Sequence, residues 1–260
     1  MKKAPIALAG LALATALYGL WRVDVIPGLW DLQHWGEDVA SVARAERLAH
    51  RAARQEVFAA EVEGLQAELA ADPGLAPVAF FGSSTIERFP TEQLFPDART
   101  LNRGIGDEAA GELRERLDAS LPAEAWPRVA GFVLYLGSVD VRRLEAGPRA
   151  VVLRATTILQ QLQGLAPGRP TVLLGLLPER GLGADRRAVI EATNAALAEL
   201  AGAPEWSHVT FLPTDRAPLR TPGGELSEDH SVDRLHLNEL GYQVLARWIR
   251  LEGGALASLL

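Results

Sequence analysis

The residues best suited to chemistry lie in a short run near the C-terminus, DRLHLN at residues 233–238. An aspartate three residues before a histidine can reach that histidine within a single turn of chain. Asp233 would then accept a hydrogen bond from one ring nitrogen of His236 and leave the other nitrogen free to take a proton. Such a pair is the base half of a nucleophilic triad, and a hydroxyl elsewhere in the chain would complete it.

Three other polar clusters each follow an apolar run. They are GSS at residues 82–84, NRG at residues 102–104 and GSVD at residues 137–140. Each is weak alone, because serines after a strand commonly cap a helix and Asn-Arg-Gly commonly forms a turn. In a parallel sheet, however, loops that follow the strands meet at one rim. Together with the aspartate–histidine run, these clusters therefore predict a single site.

The elements that must position this site alternate along the chain. Apolar runs predict strands at residues 78–81, 99–102, 131–136, 171–177 and 209–212, and periodic stretches predict helices at 107–119, 148–164, 185–201 and 239–252. Continuous apolar strands that alternate with helices are typical of a parallel sheet covered on both faces. We therefore expect an α/β fold, a three-layer α/β/α sandwich with a central parallel sheet of about five strands.

The N-terminus has the pattern of an export signal. Lys2 and Lys3 are the only lysines, and they precede an uncharged run rich in Leu and Ala at residues 4–21. We favour an uncleaved anchor in the inner membrane with the remaining chain periplasmic. Cleavage after residues 14–16 and secretion is the second alternative, and a buried N-terminal helix of a cytoplasmic protein is the third.

The chain between the anchor and the sheet predicts one long helix. Apolar residues recur at helical spacing from about residue 37 to residue 71, where Asp72, Pro73 and Gly74 follow. Proline cannot continue a helix and glycine suits its end. The expected domains are an anchor or signal peptide at 1–22, a connector and amphipathic helix at 23–73, and a catalytic domain at 74–260. We expect the helix to pack against that domain rather than to form a stalk.

Composition excludes several classes of function. The chain has no cysteine, which excludes a thiolate nucleophile and disulfides, and its five histidines lack metal-site spacing. Its net charge of −7 argues against nucleic acid as a partner. The predicted chemistry requires neither a metal nor an organic cofactor.

These blocks, in this order, resemble the GDSL-like or SGNH hydrolase superfamily, which has a flavodoxin-like fold, over about residues 76–252. The resemblance implies Ser84 as the nucleophile, His236 as the general base and Asp233 as its orienting acid. It also implies an oxyanion hole formed by the backbone N–H groups of Ser84 and Gly104. The last block, which continues into a Gly-Tyr pair at residues 241–242, is the strongest match.

The third block departs from the family pattern. The family commonly has Gly-x-Asn-Asp, whose asparagine is a further oxyanion donor, and this chain has Val139 at that position. Loss of one such donor typically costs about 10²–10³ in rate. Ser138 is a candidate substitute.

The resemblance implies a serine esterase that cleaves acyl or acetyl esters of small molecules or carbohydrates through an acyl-enzyme. The alternative is a weakened or inactive relative that serves as a membrane-anchored binding or scaffold protein. Val139 is the residue that keeps this alternative open.

Overall fold

The computed structural model describes residues 32–260, with side chains from residue 40. The predicted anchor at 1–22 and most of the connector lie outside the described residues. The chain divides into two units between His50 and Arg51, and every contact discussed below belongs to the second unit. From residue 32 onward, no helix is both long and apolar enough to cross a membrane.

Five parallel strands form one sheet in the order β2-β1-β3-β4-β5. They are β1 (Val78–Gly82), β2 (Thr100–Gly104), β3 (Gly131–Tyr135), β4 (Thr171–Leu174) and β5 (Val209–Leu212). The sheet confirms the predicted fold class and each of the five strands.

One strand is shorter than expected. The apolar run predicted β4 to continue to Leu177, but the strand ends at Leu174. Beyond that point the backbone leaves the ladder, because the amide of Leu176 donates to Oδ1 of Asn194 at 2.6 Å and that of Leu177 to the hydroxyl of Tyr135 at 3.2 Å. Side chains therefore replace the neighbouring strand as hydrogen-bond partners.

Eight α-helices are present in the described part of the chain. They are α1 (Leu32–Ala71), α2 (Ser84–Glu87), α3 (Thr91–Leu94), α4 (Ala110–Arg116), α5 (Ser138–Arg143), α6 (Pro148–Leu165), α7 (Ala184–Ala201) and α8 (Glu239–Glu252). The predicted helix at 107–119 is shorter, because Asp107 adopts a left-handed φ of 56° before α4 begins. The short helices α2, α3 and α5 were not predicted.

Helices cover both faces of the sheet. The strand order reverses at β1, so right-handed crossovers place the helices between β1 and β2 on one face and the helices of the later crossovers on the other. Helix α6 contacts both α4 and α7 in one layer, while α8 contacts β5 and the C-terminal 3₁₀ segment contacts β3 and β4. The three-layer arrangement places the core between the sheet and these helices, and β1, β3 and β4 are completely buried.

The C-terminal half of α1 packs against the edge of the sheet. Phe58, Leu65 and Leu69 are buried there. The guanidinium of Arg103, in edge strand β2, lies over the Phe58 ring at 4.9 Å and also pairs with Glu61 of α1. From Arg51 onward the helix therefore covers the sheet edge.

Candidate active site

The predicted site lies in three segments at the carboxyl ends of β1, β2 and β3 and in the turn before α8. Ser84 follows β1 at the point where the strand order reverses, the usual location of sites in open parallel sheets. His236 comes from the turn before α8. Although 152 residues separate them, Oγ of Ser84 lies 3.1 Å from Nε2 of His236. The fold thus brings the predicted nucleophile and base into hydrogen-bond contact.

Asp233 completes the chain of contacts. Its Oδ2 lies 2.8 Å from Nδ1 of His236, and its Oδ1 accepts the backbone N–H groups of Leu235 and His236 at 2.7 Å each. Partial burial works to raise the pKa of Asp233, but these hydrogen bonds outweigh it and lower the pKa to about 2. The carboxylate is therefore ionised at neutral pH, which favours the tautomer with a proton on Nδ1 and a basic Nε2 facing the serine.

Ser84, the predicted nucleophile, is held by close packing at its strand end. Gly82 has a φ of 156°, and a Cβ there would lie 2.6 Å from the carbonyl oxygen of Tyr135. On the other side of the serine, the buried hydroxyl of Tyr242 donates to the carbonyl of Thr85 at 3.0 Å. Helix α8 therefore also fixes the segment that carries the nucleophile. No sequence pattern indicated this bond beyond the position of Tyr242 in the last block.

The amide of Gly104, predicted as an oxyanion donor, already has a partner. It donates to Oδ1 of Asn102 at 3.0 Å, inside β2. Glycine is required at this position for packing, because a Cβ would collide with the backbone of Glu87. Two residues further on, the amide of Gly106 has no hydrogen-bond acceptor among the described residues.

The third block places a hydroxyl beside the nucleophile segment. Val139 is 1% exposed and offers no donor. The Oγ of Ser138 lies 3.2 Å from Oγ of Ser83, the residue directly before the nucleophile. Asp140 is buried and structural, since its carboxylate accepts the amide of Ala110 at 3.0 Å and pairs with Arg154 at 2.6 Å.

Ion pairs join the loop after β2 to helix α5. Asp107 pairs with Arg142 at 2.9 Å, and its carbonyl accepts Nη1 of Arg143 at 2.9 Å. Arg143 also pairs with Glu112 at 2.6 Å. These contacts fix the second and third blocks relative to each other.

A second carboxylate, Glu179, contributes to the electrostatics around the histidine. It follows β4 and is 7% exposed, and burial raises its pKa. The positive charges that work against this rise are those of Arg142, Arg186, Arg234 and His236. Of these two carboxylates, Asp233 is the one that is hydrogen-bonded to the imidazole.

Comparison with known proteins finds a matching protein family and solved structures of similar fold. The sequence pattern of the GDSL-like lipase/acylhydrolase family matches residues 82–244. None of the curated proteins matches the sequence.

Several solved structures are similar. A Streptococcus pneumonia protein, provisionally described as a platelet activating factor, is 25% identical with a TM-score of 0.67, covering 82% of this chain and 97% of its own. The acetyl xylan esterase AlAXEase is 16% identical with a TM-score of 0.54, covering 66% of this chain and 97% of its own. A mutant of the acetyl-xylooligosaccharide esterase Axe2 from Geobacillus Stearmophilus is 15% identical with a TM-score of 0.52, covering 69% and 94%. The latter two identities are low, so these similarities establish the fold alone.

Proposed function

The chain belongs to the GDSL-like lipase/acylhydrolase family, and on that premise we propose that it is a serine esterase acting through Ser84, His236 and Asp233. The observation that carries the proposal is the unbroken contact from hydroxyl to carboxylate, 3.1 Å from Ser84 to His236 and 2.8 Å from His236 to Asp233. The first distance suits proton transfer from Ser84 to His236, and the second suits the hydrogen bond by which Asp233 orients the imidazole and stabilises its protonated form.

In the proposed mechanism, Nε2 of His236 takes the Ser84 proton as Oγ attacks the ester carbonyl. Asp233 keeps the ring in the required tautomer and stabilises the imidazolium that forms. The protonated histidine then gives its proton to the departing alcohol. Water, activated by the same nitrogen, attacks the acyl-enzyme and releases the acid, which restores the serine.

The backbone N–H of Ser84, at the first position of α2, is the first proposed oxyanion donor. Gly104 could contribute only after releasing Oδ1 of Asn102, so we assign the second donor to the loop from Gly104 to Gly106, with the unoccupied Gly106 amide favoured. The hydroxyl of Ser138 is the proposed substitute for the side-chain donor that Val139 lacks.

We propose acyl or acetyl esters of small molecules or carbohydrates as substrates. Two similar structures are named as acetyl esterases of xylan or xylo-oligosaccharides, which supports this class. We further propose that the catalytic domain lies outside the cytoplasmic membrane, because the N-terminal sequence has lysines followed by an apolar run. Fractionation of cells that express the full-length chain tests this location.

Val139 favours one alternative, a catalytically weakened or inactive protein with a binding or scaffold role. A single experiment separates the two functions. Hydrolysis of 4-nitrophenyl acetate is measured for the full-length chain and for Ser84→Ala and His236→Ala. The esterase proposal predicts turnover that each substitution lowers by at least about 10³-fold. Wild-type turnover no faster than that of the variants would favour the scaffold role.

A further inference from the structure

Arg180, in the loop between β4 and α7, contacts the turn that carries the catalytic pair. Its backbone N–H donates to the carbonyl of Arg234 at 2.9 Å. Its Nη2 donates to the carbonyl of Asp233 at 2.6 Å, and its Nη1 pairs with Glu228 at 2.6 Å. One residue therefore bonds two consecutive carbonyls of the turn and a carboxylate just before it.

The turn at residues 233–236 has few other hydrogen bonds to residues outside its own hairpin, which spans residues 231–237. The side chain of Asp233 is 48% exposed. Within the hairpin, the turn is closed by the bond from the Val232 amide to the His236 carbonyl at 2.9 Å and by the Asp233 carboxylate. Among the described residues outside this hairpin, hydrogen bonds reach residues 233–236 only from Ser84, the proposed reaction partner, and Arg180.

We propose that Arg180 is a positioning residue that aims the Asp233–His236 pair at Ser84. A guanidinium bonded to a carbonyl and a carboxylate forms charge-assisted hydrogen bonds, which are stronger and more directional than neutral ones. A displacement of about 1 Å between reacting groups can cost about 10²-fold in rate. The inference rests on the proposed function, since it concerns the geometry of the same triad.

The test compares Arg180→Ala and Arg180→Lys with Arg187→Ala as a matched control. Arg187, at the start of α7, also bonds a loop carbonyl, that of Gly223 at 2.8 Å, and a carboxylate, that of Glu225 at 3.6 Å. It does not contact the catalytic turn. Both alanine variants thus remove a similar set of contacts from neighbouring loops.

For 4-nitrophenyl acetate, we expect Arg180→Ala to lower kcat by about 10- to 100-fold while KM changes less than about twofold. Arg180→Lys should recover part of the loss, because an ammonium can still donate to one carbonyl. Arg187→Ala should keep kcat within about twofold of wild type. The low-field proton NMR signal of the His236 Nδ1–H should weaken or shift in Arg180→Ala and persist in the control.

Two results would overturn the inference. One is an Arg180→Ala variant with unchanged kcat and an unchanged Nδ1–H signal. The other is an equal loss of kcat in Arg187→Ala, which would indicate general loosening of the loops. If Arg180→Ala does not fold, the same two measurements on Arg180→Lys decide. Failure of the proposed esterase function is recognised separately, by wild-type turnover that equals that of Ser84→Ala.

Discussion

Replacement of Asp233 by asparagine should cause the most informative loss of activity, because the structure dictates how the new side chain must lie. Oδ1 of Asp233 accepts two backbone N–H groups at 2.7 Å each. An asparagine oxygen can occupy that position, but its NH₂ group cannot. The NH₂ group must therefore face Nδ1 of His236, which then becomes an acceptor. The ring proton moves to Nε2, and this nitrogen can no longer take the proton of Ser84.

A wrong tautomer of this kind costs about 10⁴-fold in a serine protease triad, so we expect kcat for 4-nitrophenyl acetate to fall by about 10³- to 10⁴-fold. This corresponds to about 4–5.5 kcal/mol of transition-state stabilisation. The matched control is Asp229→Asn, which removes the same charge from an exposed position four residues earlier. Retention of more than a third of wild-type kcat in Asp233→Asn would refute the assigned role of the carboxylate.

The effect of the same substitution on the free energy of unfolding should depend on pH. The folded pKa of Asp233, about 2, lies below its ordinary value of 3.8. The ionised carboxylate therefore contributes stability above pH 3.8, and that contribution disappears as the pH falls through 2. The difference in free energy of unfolding between wild type and Asp233→Asn should narrow over this range. A difference that stays constant in urea unfolding at both ends of the range would contradict the assigned hydrogen bonds.

Three further substitutions test the surroundings of the site. Val139→Asn should raise kcat by up to about 10-fold if a missing oxyanion donor limits the rate. An unchanged kcat would mean that another group already donates a hydrogen bond to the oxyanion. Tyr242→Phe should lower the free energy of unfolding by about 1–3 kcal/mol in urea titrations, because it leaves the carbonyl of Thr85 unpaired. Arg116→Met should lower it by about 3–5 kcal/mol, because it removes the two-point ion pair of the buried Glu108 carboxylate and leaves only the 3.5 Å contact with Arg51, and adding Glu108→Gln should restore much of the loss. A double variant no more stable than Arg116→Met would contradict this explanation.

The strands and the contact between Asp233 and His236 were predictable because their signals are local. Each strand is a short apolar run, and the sheet confirms all five. The contact between Asp233 and His236 spans three residues, so their spacing alone predicted it. The approach of Ser84 to His236 required one further assumption, that parallel strand ends meet at a single rim.

The remaining features depend on contacts that no local pattern reveals. Helices α2, α3 and α5 have four to six residues, too few for a helical period to emerge. The Gly104 amide was predicted to be an oxyanion donor, but in the structure it donates to the side chain of Asn102. The bond from Arg180 to Asp233 joins residues 53 positions apart, and its sequence neighbours give no indication of it. These features are set by tertiary packing.

The proposed mechanism requires Ser84 to become a covalent nucleophile when His236 and Asp233 are in place. Its most direct test is to treat the full-length protein with a fluorophosphonate and identify the modified residue by peptide mass spectrometry. We expect stoichiometric labelling of Ser84, no labelling of Ser84→Ala, and labelling slowed by at least about 10²-fold in His236→Ala. Labelling at another serine, or labelling of Ser84 at the same rate without His236, would contradict it.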